Sequence, residues 1–386
     1  MRPSWLAPVF LLVGAAAHAA GAPEPAPEAV IAALPFAPSE EANRVMVDLA
    51  PEGSRPFVMM LDTGASASVI TPGMARELGV RVRKLKDTPY RRATRLGRDL
   101  QFWIDTSSSD IASRTGWEYG LLGGEFLDDY VLEIDFSGKT VRFLDPKRYQ
   151  VPEQVDAADE RVVALQRAET RVSLPIRVNS HELVVMLDTG APGTGVISGS
   201  AAREAGIDLA GLVDFGDSGS VLGPVQTSLY EDPSFELGGV ALGRVPLLVA
   251  PKGWYNQGAG NDSMIGYDVL APFVIRIDYA RKRLWLKRVH SEPIRFYGAD
   301  YGLAKQTGAF MSPVPGGYVV WAVTAGSPAA KIGVRTGDVI VSSETEKAPP
   351  PDEVLRRILE GKELQVARKQ GELWVDTVLP EETPPE

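Results

Sequence analysis

The sequence predicts a mainly β protein in which one lobe occurs twice and a smaller α+β unit follows. Short apolar segments alternate with Gly, Pro and Asp turns, one pattern recurs in both halves, and a different pattern begins after Arg288. The expected divisions are a signal peptide (1–20), a linker (21–42), a first lobe (43–149), an interlobe linker (150–169), a second lobe (170–289), a third unit (296–380) and a disordered tail (381–386).

The composition excludes several classes of site. Of the 386 residues 44% are hydrophobic, which is enough to build buried cores. There is no Cys and there are only three His, so disulfide scaffolds, thiolate metal sites, cysteine nucleophiles and polyhistidine metal centres are excluded. The 40 basic and 50 acidic residues give a net charge of −10, which argues against a general nucleic-acid-binding surface. We therefore expect no nucleic-acid partner.

The N-terminal residues have the pattern of a secretory signal. Arg2 precedes an apolar run from Trp5 to Ala17, and Ala17-His18-Ala19 supplies the small residues of a cleavage site. The run is shorter than the ~20 residues that span a bilayer, so we expect no stable membrane span. The pattern predicts export, and the absence of Cys fits a bacterial periplasmic or secreted protein.

The two halves share a repeated motif. The repeat pairs the run Phe57–Leu61 and the turn Asp62-Thr63-Gly64-Ala65 with the run Leu183–Leu187 and the turn Asp188-Thr189-Gly190-Ala191, at an offset of 126. Downstream in each half, an apolar-apolar-Gly segment ends at Gly123 or Gly266, and an Ile-Asp-aromatic segment has its Asp 12 residues later. These matching spacings predict a duplicated lobe.

These residues resemble those of the pepsin/retropepsin-type aspartic peptidases. The resemblance implies a bilobal, mainly β fold in which each lobe contributes one Asp-Thr-Gly turn, so Asp62 and Asp188 form a catalytic dyad. It also implies that Thr63, Gly64, Thr189 and Gly190 support the dyad, with the Thr hydroxyls cross-linking the two turns. In this class two adjacent carboxyls share one proton, one activates water and the other protonates the scissile carbonyl.

The resemblance thus predicts a hydrolase, an aspartic-type endopeptidase that acts on peptides or proteins and uses no metal ion and no organic cofactor. Because both halves of the site lie in one chain, we expect a monomer. Ala65 and Ala191 stand where pepsin-like members carry a Ser or Thr donor, which predicts activity at mildly acidic to near-neutral pH. The alternative is a catalytically inactive, peptide-binding adaptor of the cell envelope.

Each lobe is expected to carry a hairpin between its Asp turn and its Gly segment, where this family has a substrate-covering flap. In lobe 2 the hairpin spans about Asp214 to Tyr230, with Gly219 and Ser220 at the flap tip. The sequence Gly216-Asp217-Ser218-Gly219 also resembles the nucleophile motif of trypsin-like serine peptidases, but neither remaining His, at 181 or 290, lies in the histidine motif of that family.

The lobe 1 hairpin, about Leu85 to Phe102, is strongly basic. Residues 81–98 contain eight basic side chains and one acid, a net charge of +7 in 18 residues. This pattern is typical of a solvated hairpin. Steering of acidic substrates and contact with an anionic envelope surface are the alternatives.

The third unit resembles the PDZ domains attached to bacterial envelope proteases. The resemblance rests on a strand at Tyr318–Val323, the segment Gly326-Ser327-Pro328-Ala329, the segment Gly337-Asp338-Val339-Ile340, a helix at Pro351–Leu359 and strands at Leu364–Ala367 and Leu373–Leu379. It implies a domain that binds protein C-termini as an added strand, with a carboxylate-binding nest near Tyr301–Ala304, and that recruits substrates.

Overall fold

The computed structural model describes residues 21–36, 43–80, 89–104, 120–220, 223–231, 233–251, 254, 262–292, 294–314, 316–341, 349–370 and 373–380. The side chains of 216–220, 223 and 224 are outside this description, as is the signal segment 1–20. The fold is mainly β, as the sequence predicts.

Lobe 1 and the strand before it contain β1 (Val30–Pro35), β2 (Met46–Asp48), β3 (Val58–Leu61), β4 (Val69–Ile70), α1 (Pro72–Glu77), β5 (Tyr90–Ala93), β6 (Asp99–Ile104), β7 (Gly120–Leu122), α2 (Gly124–Leu127), β8 (Val131–Asp135) and β9 (Thr140–Leu144). Lobe 2 and the strands leading into it contain β10 (Glu160–Ala164), β11 (Gln166–Ala168), β12 (Arg171–Val178), β13 (His181–Leu187), β14 (Gly195–Ser198), α3 (Gly199–Glu204), β15 (Val213–Ser220), β16 (Gly223–Tyr230), β17 (Ser234–Leu237), β18 (Val240–Arg244), β19 (Leu247–Ala250), β20 (Met264–Ile265), α4 (Tyr267–Leu270), β21 (Phe273–Asp278) and β22 (Arg283–Arg288).

The third unit contains α5 (Tyr301–Thr307), β23 (Ala309–Val314), β24 (Gly317–Val323), α6 (Pro328–Lys331), β25 (Val339–Val341), α7 (Pro351–Leu359), β26 (Leu364–Gln370) and β27 (Leu373–Leu379). Its strands form one sheet in the order β23-β24-β25-β26-β27. The helix α7 and the strand β27 have the predicted bounds, and β26 covers the predicted Leu364–Ala367 and extends to Gln370.

The two lobes repeat the same strand arrangement around each Asp turn. In lobe 1, β7 lies between β3, its parallel neighbour, and β4, its antiparallel neighbour. In lobe 2, β20 lies between β13 and β14 in the same orientations. A short helix follows in each lobe, capped by Thr71 on Met74 N–H and by Ser198 on Ala201 N–H. The predicted duplication is therefore present at the level of strand topology.

A six-stranded sheet joins the lobes, in the order β1-β9-β8-β21-β22-β10. At its centre Arg276 of β21 lies opposite Glu133 of β8, and its Nε donates to Glu133 Oε2 at 2.5 Å. The Arg276 guanidinium also lies 4.1 Å from the ring centroid of Trp285 on β22. Strands from both lobes thus share one platform, which fixes the position of each lobe relative to the other.

The structure differs from the two expected linkers. Within 21–42, Val30–Pro35 forms β1 and pairs with β9, because its apolar residues gain a partner strand more than 100 residues away in the chain. Within 150–169, β10 pairs with β22 and β11 pairs with β12. Folded structure therefore begins before Asn43, and both segments contribute to the sheets.

The third unit is packed against lobe 2. Phe215, Leu229 and Leu248 of lobe 2 belong to the same buried cluster as the interior of the third unit. Glu231 Oε1 forms an ion pair with Lys305 Nζ at 2.5 Å. No helix within the described ranges is long and apolar enough to cross a membrane.

Candidate active site

The two Asp-Thr-Gly turns meet at the centre of the molecule. Asp62 and Asp188 follow the buried ends of β3 and β13, and the carboxyl group of each lies against the glycine of the other lobe's turn. Asp62 Oδ1 accepts the N–H groups of Gly64 and Ala65, both at 2.9 Å. Asp188 Oδ1 accepts those of Gly190 and Ala191, at 2.9 and 3.1 Å. Each turn therefore holds one oxygen of its own carboxylate and leaves the other for the dyad.

The threonines cross-link the turns with nearly two-fold symmetry. Thr63 Oγ1 donates to the carbonyl of Leu187 and Thr189 Oγ1 donates to that of Leu61, both at 2.7 Å. The backbone N–H of Thr63 donates to Thr189 Oγ1 at 3.2 Å, and that of Thr189 donates to Thr63 Oγ1 at 3.1 Å. Both side chains are fully buried, so these bonds are protected from water.

Glycine is needed in both turns because the carboxyl group of the other lobe approaches so closely. A Cβ on Gly64 would lie 2.5 Å from Asp188 Cγ, and one on Gly190 would lie 2.6 Å from Asp62 Cγ. Neither residue has a left-handed φ. A tight turn is a common reason for glycine, but here the contact between the lobes is what requires it.

The electrostatic environment favours one shared proton. Burial raises the pKa of Asp62, although the N–H groups of Ala65 and Gly64 and the nearby Arg44 cation oppose this change. Burial raises the pKa of Asp188 well above its usual value, and the neighbouring Asp62 charge raises it further. Two adjacent negative charges are unfavourable in a buried site. The pair therefore keeps one proton at a pH where exposed carboxyls are ionised.

A second pair of acids supports the turns, and the sequence analysis missed it. Glu125 and Asp268 both stand two residues after the Gly of the apolar-apolar-Gly segment, and this equal spacing is the signal that identifies them. Glu125 Oε1 accepts the Ser68 N–H at 2.9 Å, behind the first turn. Burial raises the pKa of Glu125.

Asp268 joins three parts of the chain. Its Oδ1 accepts the Asn43 side-chain amide at 3.1 Å, and its Oδ2 accepts the Gly298 N–H at 3.2 Å. Burial raises the pKa of Asp268 to about 8. The ring of Tyr297, beside Gly298, lies where a side chain on Gly193 would be, 3.1 Å from that Cβ position. The start of the third unit therefore lies directly behind the second Asp turn.

The two predicted flaps have different structures. In lobe 2, β15 and β16 form the expected hairpin, and Gly219 and Ser220 lie at its end, paired with Pro224 and Gly223. In lobe 1, the β5–β6 turn is bonded to its own lobe: Arg95 N–H donates to the Leu49 carbonyl at 2.9 Å, and Arg95 Nε donates to the Ala50 carbonyl at 2.6 Å.

Three of the four described arginines of the basic segment have partners within the protein. Arg95 pairs with Asp48, Arg98 pairs with Asp129, and Arg92 lies over the Phe57 ring. Residues 81–88 of this segment lie outside the described ranges. These contacts attach the β5–β6 hairpin to its own lobe.

Among the described side chains, no group of three or more acidic or histidine residues is arranged to hold a metal ion. The predicted nest region, Tyr301–Ala304, forms the first turn of α5 instead. Two of its N–H groups are used within that turn: Leu303 donates to Asp300 Oδ1 and Ala304 donates to the Asp300 carbonyl, both at 3.0 Å.

Comparison with known proteins adds one family match. The model of an aspartyl protease family, Asp_protease_2, matches residues 45–98 and 174–269, which include both Asp-Thr-Gly turns. Among solved structures, the crystal structure of a retropepsin-like aspartic protease from Rickettsia conorii is 22% identical, with 33% of this chain and 90% of that chain covered and a TM-score of 0.27. No curated protein sequence matches the chain. The family match and the paired, cross-linked turns agree, and they support an aspartyl protease.

Proposed function

We propose that the chain is an exported aspartic endopeptidase in which Asp62 and Asp188 activate water for peptide-bond hydrolysis. The observation that carries this proposal is the close approach of the two carboxyl groups, held by the reciprocal threonine bonds. A binding protein would have no need for two buried carboxyls that destabilise each other's ionised form. Burying two such carboxyls together costs free energy, and carboxyls with pKa values shifted in this way are typical of sites that transfer protons.

The proposed reaction uses one ionised and one protonated carboxyl. The ionised member takes a proton from water, whose oxygen forms a bond to the carbonyl carbon of the substrate. The protonated member donates its proton to the carbonyl oxygen, giving a neutral tetrahedral diol. Proton transfer to the nitrogen then breaks the C–N bond, releasing an amine and a carboxylic acid and restoring the dyad.

The surroundings of the dyad favour a pair that carries one proton. Burial raises the pKa of both carboxyls, the Asp62 charge raises that of Asp188 further, and Arg44 opposes the change at Asp62. A raised pKa keeps the monoprotonated dyad populated toward neutral pH. This fits the mildly acidic to near-neutral activity predicted from Ala65 and Ala191.

The third unit is proposed to be a PDZ-like domain that recruits protein substrates. Its order of strands and helices supports this assignment. Within the described residues β23 pairs only with β24, so its other edge is the place for an added peptide strand. The helices α5 and α7 both pack against β23, and the bond from Asp300 N–H to Asp352 Oδ1 ties the N terminus of α5 to α7.

Hydrolysis is tested with purified mature protein and a diverse peptide library. We expect cleavage that a statine-type transition-state analogue inhibits, loss of cleavage in Asp62→Asn and in Asp188→Asn, and constant activity per molecule on dilution. A wild-type protein that binds peptides without cleaving them at any pH from 4 to 8 would instead support the adaptor.

Recruitment and export need separate tests. A competitor peptide with a free C-terminal carboxylate should slow cleavage of protein substrates but not of short peptides. The same peptide with an amidated C terminus should slow neither reaction. If the two competitors act alike, the recruitment proposal fails. Export predicts a mature N terminus near Ala20, and an intact Met1 terminus in the cytosolic fraction would contradict it.

A further inference from the structure

The lobe 2 hairpin has an anchor in the third unit. In β15, Asp214 pairs with Ser228 and Gly216 pairs with Thr227, so Phe215 is an extra residue in a β-bulge. Bulges commonly redirect a side chain away from the regular pleat. The Phe215 ring is 1% exposed, and its centroid lies 4.3 Å from that of Phe310 and 6.2 Å from that of Phe296.

The anchor is at the base of the hairpin, and the tip extends away from it. Ser220 lies five residues beyond Phe215, about 16 Å along an extended strand. Ser228–Tyr230 at the base of the hairpin also pair with β19, whereas nearer the tip β15 and β16 pair only with each other among the described strands. Such a two-stranded part is at best marginally stable in water without packing against other structure. A small rotation at Phe215 therefore becomes a larger displacement at Gly219 and Ser220.

The same part of the third unit also contacts the second catalytic turn. Phe296 contacts the hairpin anchor, and the adjacent Tyr297 packs beside Gly193, three residues after Gly190. Leu229, on the returning strand β16, is 3% exposed in the same buried cluster. Adjacent aromatic residues of the third unit therefore contact both the hairpin and the second turn.

We propose that Phe215 is a positioning residue for the flap, and that the third unit sets the flap's position over the dyad through Phe310 and Phe296. This inference rests on the proposed peptidase function. It gives the third unit a direct part in cleaving short peptides, in addition to recruiting large substrates. Aromatic packing of this kind is strong enough to fix a strand end but leaves the tip free to close over a substrate.

The test compares Phe215→Ala and Phe310→Ala with a matched control, Val339→Ala, in the full-length protein. Val339 is fully buried in a separate small cluster of the third unit, with Val314, Val319 and Ala367.

Both Phe variants should lower kcat/KM for a short peptide by about tenfold or more, mainly through KM, and weaken statine-analogue binding to a similar extent. The double variant should lose little more than either single variant. Phe215→Leu should recover much of the activity, and Val339→Ala should stay within about twofold of wild type.

Hydrogen exchange gives a readout that is independent of catalysis. Amides of 213–230 should exchange faster in Phe310→Ala than in Val339→Ala. Unchanged short-peptide kinetics together with unchanged exchange in that hairpin would overturn the positioning role. A wild-type protein without activity would refute the peptidase proposal, while the exchange comparison would still decide whether the third unit holds the hairpin.

Discussion

Thr63 and Thr189 each donate a hydroxyl hydrogen bond into the strand that leads to the other lobe's aspartate, and each accepts the other's backbone N–H. The four bonds connect β3 and β13 directly beneath the carboxyl groups. They fix the distance between two groups that repel when both are ionised. The threonines therefore hold the two turns together, as the proposed dyad requires.

Replacing Thr189 by Val should separate this role from simple packing. Val keeps the shape of the side chain but removes the hydroxyl that donates to the Leu61 carbonyl and accepts from the Thr63 N–H. The free energy of unfolding should therefore fall by about 3 kcal/mol. Thr189→Ser retains the hydroxyl and should lose far less. Urea unfolding measures the difference, and equal stability of the Val and Ser variants would contradict it.

Gly190→Ala should disrupt the dyad through a steric contact. The new Cβ would lie 2.6 Å from the carboxyl carbon of Asp62, so one turn must move, and we expect kcat/KM to fall by about 100-fold. Gly211→Ala is the matched control, because a Cβ there meets nothing within 4 Å. Steady-state kinetics on one short peptide compares the variants, and near-normal activity of Gly190→Ala would show that the lobes tolerate a wider separation.

The features that the sequence predicts well are those repeated or encoded locally. The two turns and their bracing segments recur at equal spacing, so the strand arrangement around Asp62 and Asp188 follows from the motif. The helix α7 and strand β27 have the predicted bounds because their apolar periodicity and turn residues are local signals.

The features that it misses depend on distant partners. Val30–Pro35 follows a Pro- and Ala-rich segment, and only its pairing with β9 makes it a strand of the platform. The Phe215 bulge lies in a Gly- and Ser-containing segment that suggests a flexible tip, and its anchor, Phe310, is 95 residues away. The pairing of Arg98 with Asp129 likewise depends on tertiary contact that charge counting does not reveal.

Removing the charge of Glu133 should weaken the platform between the lobes. Glu133 and Arg276 are both buried, and Arg142 also pairs with Glu133. Glu133→Ala leaves the Arg276 guanidinium buried without this carboxylate, so the free energy of unfolding should fall by about 3–5 kcal/mol. Arg177→Ala, which breaks the more exposed pair with Glu236, should cost at most about 1 kcal/mol. Similar losses in both variants, measured by denaturant unfolding, would contradict a special role for the buried pair.

The raised pKa of Asp188 should appear in the pH dependence of stability. In the folded state the carboxyl keeps its proton above the pH at which the unfolded chain, with its ordinary value of 3.8, loses it. The folded state then binds more protons, so stability falls as pH rises from about 4 toward the folded-state pKa.

Asp188→Asn removes this titration while nearly preserving the volume of the side chain, so it should abolish cleavage and remove part of the loss of stability at higher pH. The melting temperature of the variant should exceed that of wild type by a margin that grows as pH is raised from 4 toward 8, because only the wild type must ionise a buried group beside Asp62. Asp156→Asn is the control: its side chain is exposed, and its margin should stay near zero across the same range. Differential scanning calorimetry of the three proteins at several pH values measures these margins. A constant margin for Asp188→Asn would mean that the dyad does not hold its extra proton in the folded state, and the proposed proton sharing would then be wrong.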